Sequence, residues 1–151
     1  MTANALLKDA IQEDMKAAMR AKDSQKLGVI RLLMAAIKQV EIDQRITTTD
    51  SDILAVIDKM IKQRRESVKQ YQVGNRPELV AQEQFEIDLL QHYLPKPFSD
   101  AEIEKLISAT IHEVGATSIK DMGKVMAALK PKAQGRADMS KVSAQLKQKL
   151  T

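Results

Sequence analysis

Five cations near the C-terminus, Lys120, Lys124, Lys130, Lys132 and Arg136, are the residues of this sequence whose type and spacing best suit a chemical task. Lys120 and Lys124 stand four apart, which on a helix sets both ammonium groups over one face. Lys130, Lys132 and Arg136 follow in a stretch punctuated by Pro131 and Gly135. Cations spaced in this way grip phosphates without reading bases. From Lys120 onward eight basic residues face only Asp121 and Asp138, whereas residues 1–94 carry fourteen of each sign. The whole formal excess of +4 therefore lies beyond Pro95, the pattern of a chain that meets a polyanion or an acidic partner. The plainer reading is that these lysines only keep a small helical unit soluble.

Nucleophilic and metal chemistry is poorly supplied. The chain has no cysteine, which excludes disulfides, thiolate metal sites and a catalytic thiol. His92 and His112 fall on outward faces of different helical patterns, and neither has a second ligand at suitable spacing. Ser67, Ser99 and Ser118 lack a neighbouring signature for activation, and there is no glycine-rich phosphate loop. No catalytic residue, metal or cofactor is expected. The four aromatics, Tyr71, Phe85, Tyr93 and Phe98, all precede the basic segment. Stacking on unpaired bases is thus disfavoured, and structured RNA recognised by shape is the better polyanion.

The elements that must carry these residues are helical. Hydrophobic content of 44% with 29% charge marks a globular rather than disordered chain. With only 3% aromatics and eight methionines, the core must be aliphatic, which suits helices. Apolar residues recur at three- and four-residue spacing through Leu7, Ala10, Ile11, Met15, Ala18 and Met19, and again from Leu27 to Val40. A third stripe runs from Ile53 to Tyr71 and a fourth from Leu79 to Leu94. Thr49-x-x-Asp52 has the form of a capping box; Asn75 can cap the fourth helix, with Pro77 in its first turn. Beyond Pro95-Lys96-Pro97, Ser99-x-x-Glu102 opens a fifth helix that Gly115 closes, and Ser118-x-x-Asp121 opens a sixth that Pro131 ends. Asp138 caps a seventh. The chain is therefore expected to be all-α and multihelical, with a four-helix bundle-like subdomain over 1–94 and a basic three-helix subdomain over 95–151. Neither a signal peptide nor an 18-residue apolar run is visible. A cytoplasmic monomer without membrane contact is expected.

Helical projection places some charges inside the apolar stripes: Arg64, Glu83 and Asp14, with Arg31 at the border of another. Charges on an inner face need partners. The expected pairs are Arg64 with Glu83 and Asp14 with Arg31. They serve either as ion pairs that fix helix register or as a polar groove for a ligand. Gly123, beside the sixth stripe, reads as a place where another helix approaches closely.

Gln63-Arg64-Arg65-Glu66-Ser67, Arg76-Pro77-Glu78-Leu79, Glu83, Glu86, Tyr93-Leu94-Pro95, Met122-Gly123-Lys124-Val125-Met126 and Gly135-Arg136-Ala137-Asp138 together resemble the YqeY family. That family is similar to the C-terminal tail domain of the B subunit of tRNA-dependent glutamyl/aspartyl amidotransferase. The resemblance spans nearly the whole chain, with motifs of both halves in order. It implies two all-α subdomains and, since the amidotransferase tail helps engage tRNA, an accessory role in tRNA or structured-RNA binding. Free-standing members are commonly grouped with carbon–nitrogen ligases that use glutamine as amide donor. One departure is local: Asn75 follows Gly74 where the family often has glycine, and asparagine tolerates the left-handed turn. The domains that perform amide transfer in the related enzyme have no counterpart here, so standalone catalysis is not expected. The alternative is a protein-interaction module that docks on a translation-related partner without touching RNA, for which an exposed apolar patch would speak.

Overall fold

The computed structural model describes residues 6–151, which form seven α-helices, one 3₁₀ turn and no strand. The helices are α1 (Leu6–Arg20), α2 (Ser24–Gln44), α3 (Asp50–Val73), α4 (Pro77–Gln91), α5 (Asp100–Val114), α6 (Met122–Ala133) and α7 (Met139–Leu150). The fold is all-α.

Local chemistry sets most of the boundaries. Before α3 the Asp52 amide donates to Thr49 Oγ1 at 3.2 Å, and the Thr49 amide returns a bond to Asp52 Oδ2 at 2.9 Å. Ser99 and Glu102 repeat this reciprocal cap before α5. Asp23 and Asp138 cap α2 and α7 by accepting from the amides of Lys26 and Ser140. Each satisfies donors that the first helical turn leaves open. Gly115 closes α5 with φ of +69°.

Three boundaries differ from the sequence reading. Asn75 does not cap α4: it takes φ of +54° in the turn, and Arg76 precedes Pro77 at the helix start. Pro131 does not end α6, which continues to Ala133. A proline so near the C-terminus removes a single helical hydrogen bond. The last turn is held by Ala133, fully buried, and by the Gln134 amide donating to the Lys130 carbonyl at 2.9 Å. The 3₁₀ turn Ile119–Asp121 precedes α6, which leaves Ile119 outside the core rather than in its stripe.

The chain forms two compact units, Met1–Leu94 and Pro95–Thr151, each with its own core. In the first, Ile11, Ile30, Leu33, Ile53, Ile57, Ile61 and Leu90 are closed off from solvent, each side chain contributing about 1.5–3 kcal/mol on burial. Ala10 and Met19, expected in the α1 stripe, point outward. The second unit packs Ile107, Val125, Leu129, Val142 and Leu146 at its centre. Its one buried hydroxyl, on Thr110, donates to the Leu106 carbonyl at 2.7 Å.

Two glycines lie within helices and in the open. A β-carbon on Gly28 of α2 or Gly123 of α6 would meet nothing within 4 Å. Close helix packing is therefore not what Gly123 provides, contrary to its sequence reading. With helical backbone and free space, Gly28→Ala should raise stability by about 0.5–1 kcal/mol, seen as a higher urea midpoint at unchanged slope. A lower midpoint would show that Gly28 has a contact this structure lacks.

Candidate nucleic-acid interface

The second unit sorts the five candidate cations into two groups. Lys120 lies in the 3₁₀ turn and Lys124 in the first turn of α6, both exposed. The Asp121 carboxylate between them accepts from the amides of Thr117 and Ser118 at 2.9 and 3.4 Å. Those bonds, helped by the nearby Lys124 charge, hold its pKa below the usual aspartate value. Lys130 is exposed near the other end of α6. At about 100° per residue it lies roughly 120° around the helix from Lys124, so the two occupy neighbouring faces rather than one.

Lys132 and Arg136 are otherwise engaged. Lys132 Nζ reaches back to Glu113 of α5 at 2.9 Å. Arg136 clasps the segment that leads into the unit. Its Nε donates to the Lys96 carbonyl at 2.9 Å, and its guanidinium carbon sits 3.8 Å from the Phe98 ring centroid. The Phe98 amide in turn donates to the Arg136 carbonyl at 2.8 Å. The positive field of Arg136 and Lys96 also helps the Ser99 cap to hold Glu102 below the ordinary glutamate pKa. Gly135 permits this turn with φ of +79°. The amides after it are spent inside the loop: those of Arg136 and Ala137 both donate to the Ala133 carbonyl. The Asp138 carboxylate occupies the start of α7. The loop therefore offers an incoming anion little beyond side chains.

In the first unit the expected ion pairs have different partners. Arg64 Nε pairs with Glu86, not Glu83, at 3.0 Å, and its Nη1 donates to the Met60 carbonyl at 3.2 Å. Side-chain exposures of 15% and 14% make this a largely desolvated pair. Glu83 lies one turn earlier on α4, and its pKa is raised. Partial burial is the main cause and the Glu86 charge adds to it; the attraction of Arg64 only offsets part. The groove reading for Arg64 loses its free guanidinium.

Asp14 and Arg31 are not paired among the described residues. Asp14 Oδ2 accepts from the Tyr93 hydroxyl at 2.6 Å, and Arg31 is exposed. Burial and the adjacent carboxylate push the Tyr93 pKa well up. Sequence reasoning missed this bond, and it missed Glu41. That carboxylate accepts from the Thr48 amide and hydroxyl, both at 3.0 Å, and from Lys8 Nζ, tying α1 to the α2–α3 connection. His92 and His112 are both exposed.

Comparison with known proteins assigns the family. A family model described as Yqey-like protein matches residues 8–150. The chain belongs to the YqeY family. Curated relatives carry the name "Altered inheritance of mitochondria protein 41, mitochondrial". The protein from Vanderwaltozyma polyspora is 33% identical over 119 residues, covering 74% of this chain and 64% of the relative. That from Pyrenophora tritici-repentis is 32% identical over 136 residues, covering 87% and 75%. That from Eremothecium gossypii is 38% identical over 110 residues, covering 71% and 60%. This YqeY-family chain thus spans less than two thirds of two of these relatives. Among its described residues no helix is long and apolar enough to cross a membrane.

Glu83 and Glu86 of α4 should respond oppositely to neutralisation. Glu86→Gln strips the charge from a largely buried pair and should cost about 1–3 kcal/mol. Glu83→Gln should stabilise at pH 7, because a raised folded-state pKa means that ionisation there works against folding. Below about pH 4, where Glu83 is protonated folded and unfolded alike, that gain should vanish. Urea melts at both pH values test the pair; equal effects at the two positions would refute the assignment. Arg136→Ala should cost about 1–2 kcal/mol through its lost stack and carbonyl bond. Lys120→Ala and Lys124→Ala should stay within about 0.5 kcal/mol of wild type.

Proposed function

We propose that this YqeY-family protein is a non-catalytic accessory module that holds the phosphate backbone of tRNA or another structured RNA, in connection with tRNA-dependent amidotransferase chemistry. Lys120, Lys124 and Lys130 make the contacts. The observation that carries this reading is their freedom. All three are exposed and none of their side-chain ammonium groups has a hydrogen bond or ion pair among the described residues, Lys124 meeting Asp121 only through space. Lys132 and Arg136 belong to the internal wiring of the unit and are withdrawn from the binding set.

Cations on neighbouring faces of one short helix suit a curved, irregular phosphate surface better than an extended single strand, which needs stacking rings. The aromatic of this unit, Phe98, is already covered by Arg136. The cytoplasmic placement expected from sequence belongs to this reading. The fungal relatives are named as mitochondrial, and both compartments hold tRNA. A purely protein-docking role draws support from a different surface, on α2.

The test is binding of the full chain to bulk tRNA across a salt series, beside Lys120→Gln/Lys124→Gln/Lys130→Gln. Wild type should show a steep fall in affinity with salt. The triple variant should lower the slope by about 2–3, close to one phosphate contact for each lysine lost. Absence of binding at low salt, or an unchanged slope, would overturn the proposal. Arg136 is kept intact in this variant because its loss would also loosen the fold.

A further inference from the structure

The α2 helix is apolar on two opposite sides, and only one of them is used. Its inner side puts Ile30, Leu33 and Ile37 into the core of the first unit. Its outer side carries Gly28, Leu32, Ala35, Gln39 and Ile42, at alternating four- and three-residue spacing, and all five are exposed. At about 100° per residue these five fall within an arc of roughly 80°, diametrically across from Ile37. Leu32 remains 51% and Ile42 61% exposed. The spacing is that of the seam by which one helix packs on another, and the stripe runs about 21 Å along the axis. Nothing in the fold requires large aliphatic side chains there, since the opposite face already supplies the core.

One flank of the stripe is uniformly basic. Arg31 and Lys38 stand seven residues apart along the same edge, each exposed and each without an ion pair among the described residues, and Arg45 follows just past the helix end as its exposed, left-handed C-cap residue. The opposite flank offers one acidic residue, Asp43, whose carboxylate accepts from Gln39 Nε2 at 2.8 Å. Beyond the basic edge a cleft of about 220 Å³ opens between α1 and α2, lined by Ile11, Met34 and Ile37 together with the polar Gln12, Lys38 and the Lys8–Glu41 pair.

We infer that the outer face of α2 is the docking surface for an acidic amphipathic helix of a partner protein. The partner's leucine-type residues pack between Leu32, Ala35 and Ile42, and its carboxylates run along Arg31 and Lys38. Charge decides against a second copy of this chain. Antiparallel pairing of two α2 stripes sets the basic edge against itself, and in parallel pairing Asp43 alone answers Arg31 and Lys38. RNA is disfavoured because the centre of the face is apolar and carries no aromatic ring. This inference concerns the first unit and does not rest on the RNA reading of the second.

The probe is a fluorescein-labelled three-heptad peptide with leucine at the seam positions and glutamate along both flanks, beside a counterpart with lysine in place of every glutamate. Anisotropy with the full chain should show the acidic peptide binding at least about tenfold more tightly than the basic one. Leu32→Asn/Ile42→Asn should weaken it by about tenfold without shifting the urea midpoint, since both side chains face solvent. Arg31→Glu/Lys38→Glu should invert the preference between the two peptides, which a merely sticky face would not do. Neither α2 variant should change the salt slope for tRNA, so failure here is separable from failure of the RNA reading. Equal binding of the two peptides, or none of either, would overturn the inference. So would a concentration-dependent dimer that Leu32→Asn/Ile42→Asn dissolves, which would assign the face to a second copy. Loss of tRNA binding in Arg31→Glu/Lys38→Glu alone would assign it to nucleic acid.

Discussion

Mutual burial of aliphatic stripes is the constraint on which the rest of this structure depends. Helices of 12–24 residues take most of their stability in a protein from packing of an apolar face rather than from propensity. With two tyrosines, two phenylalanines and no tryptophan in the chain, no large ring fills the centre of either core. Isoleucine, leucine and valine do the work instead, in stripes about three residues wide that leave most of each helix surface free. A protein built so can decorate its outer faces with little consequence for folding. That is why the lysines of α6 and the seam on the back of α2 coexist with intact cores.

Polar anchors then fix what aliphatic packing leaves loose, and they are few and specific. Glu41 binds three donors at the α2–α3 connection, Tyr93 reaches back 79 residues to Asp14, and Arg64 spans from α3 to Glu86 on α4. In the smaller unit the corresponding anchor is Arg136, which holds the Lys96–Phe98 segment by a carbonyl bond, a ring contact and its own backbone. A guanidinium held in this way contributes to the shape of the unit. Its neighbour in sequence, Gly135, gives the loop the look of a phosphate-binding turn. The amides that such a turn would present are turned inward to the Ala133 carbonyl.

Much of the fold is written at short range and is legible for that reason. Thr49 with Asp52 and Ser99 with Glu102 act within one helical turn, so composition and spacing suffice to place α3 and α5. The failures concern competition at longer range. Arg64 has two carboxylates within reach on α4, one turn apart, and helical periodicity cannot say which meets the guanidinium. Asp14 finds a phenol rather than an arginine because Tyr93 arrives from 79 residues away. Pro131 looks like a stop signal, yet burial of Ala133 outweighs one missing hydrogen bond. The family itself was legible from ordered motifs spread over both halves, but motif order does not separate a structural arginine such as Arg136 from a binding one. Nor does a stripe search limited to core faces notice that α2 has a second one.

Net charge hides as much as it reveals. Residues 1–94 balance to zero, which directs attention to the basic C-terminal third, yet cancellation over a unit says nothing about the charge of one edge. Several acidic residues of the first unit are drawn into caps and pairs: Asp23, Asp50 and Asp52 at helix starts, Glu41 and Glu86 in bonds across helices. A carboxylate committed in this way still counts in the sum but is poorly placed to screen a distant cation. Arg31 and Lys38 are left as a local basic edge on a neutral unit, beside aliphatic side chains that the core does not need. In the second unit the same sorting acts in reverse, since Glu113 and Phe98 take up two of the cations that make its excess conspicuous. What a surface offers is set by which charges the fold has already spent, and that is a property of pairing geometry that composition cannot carry.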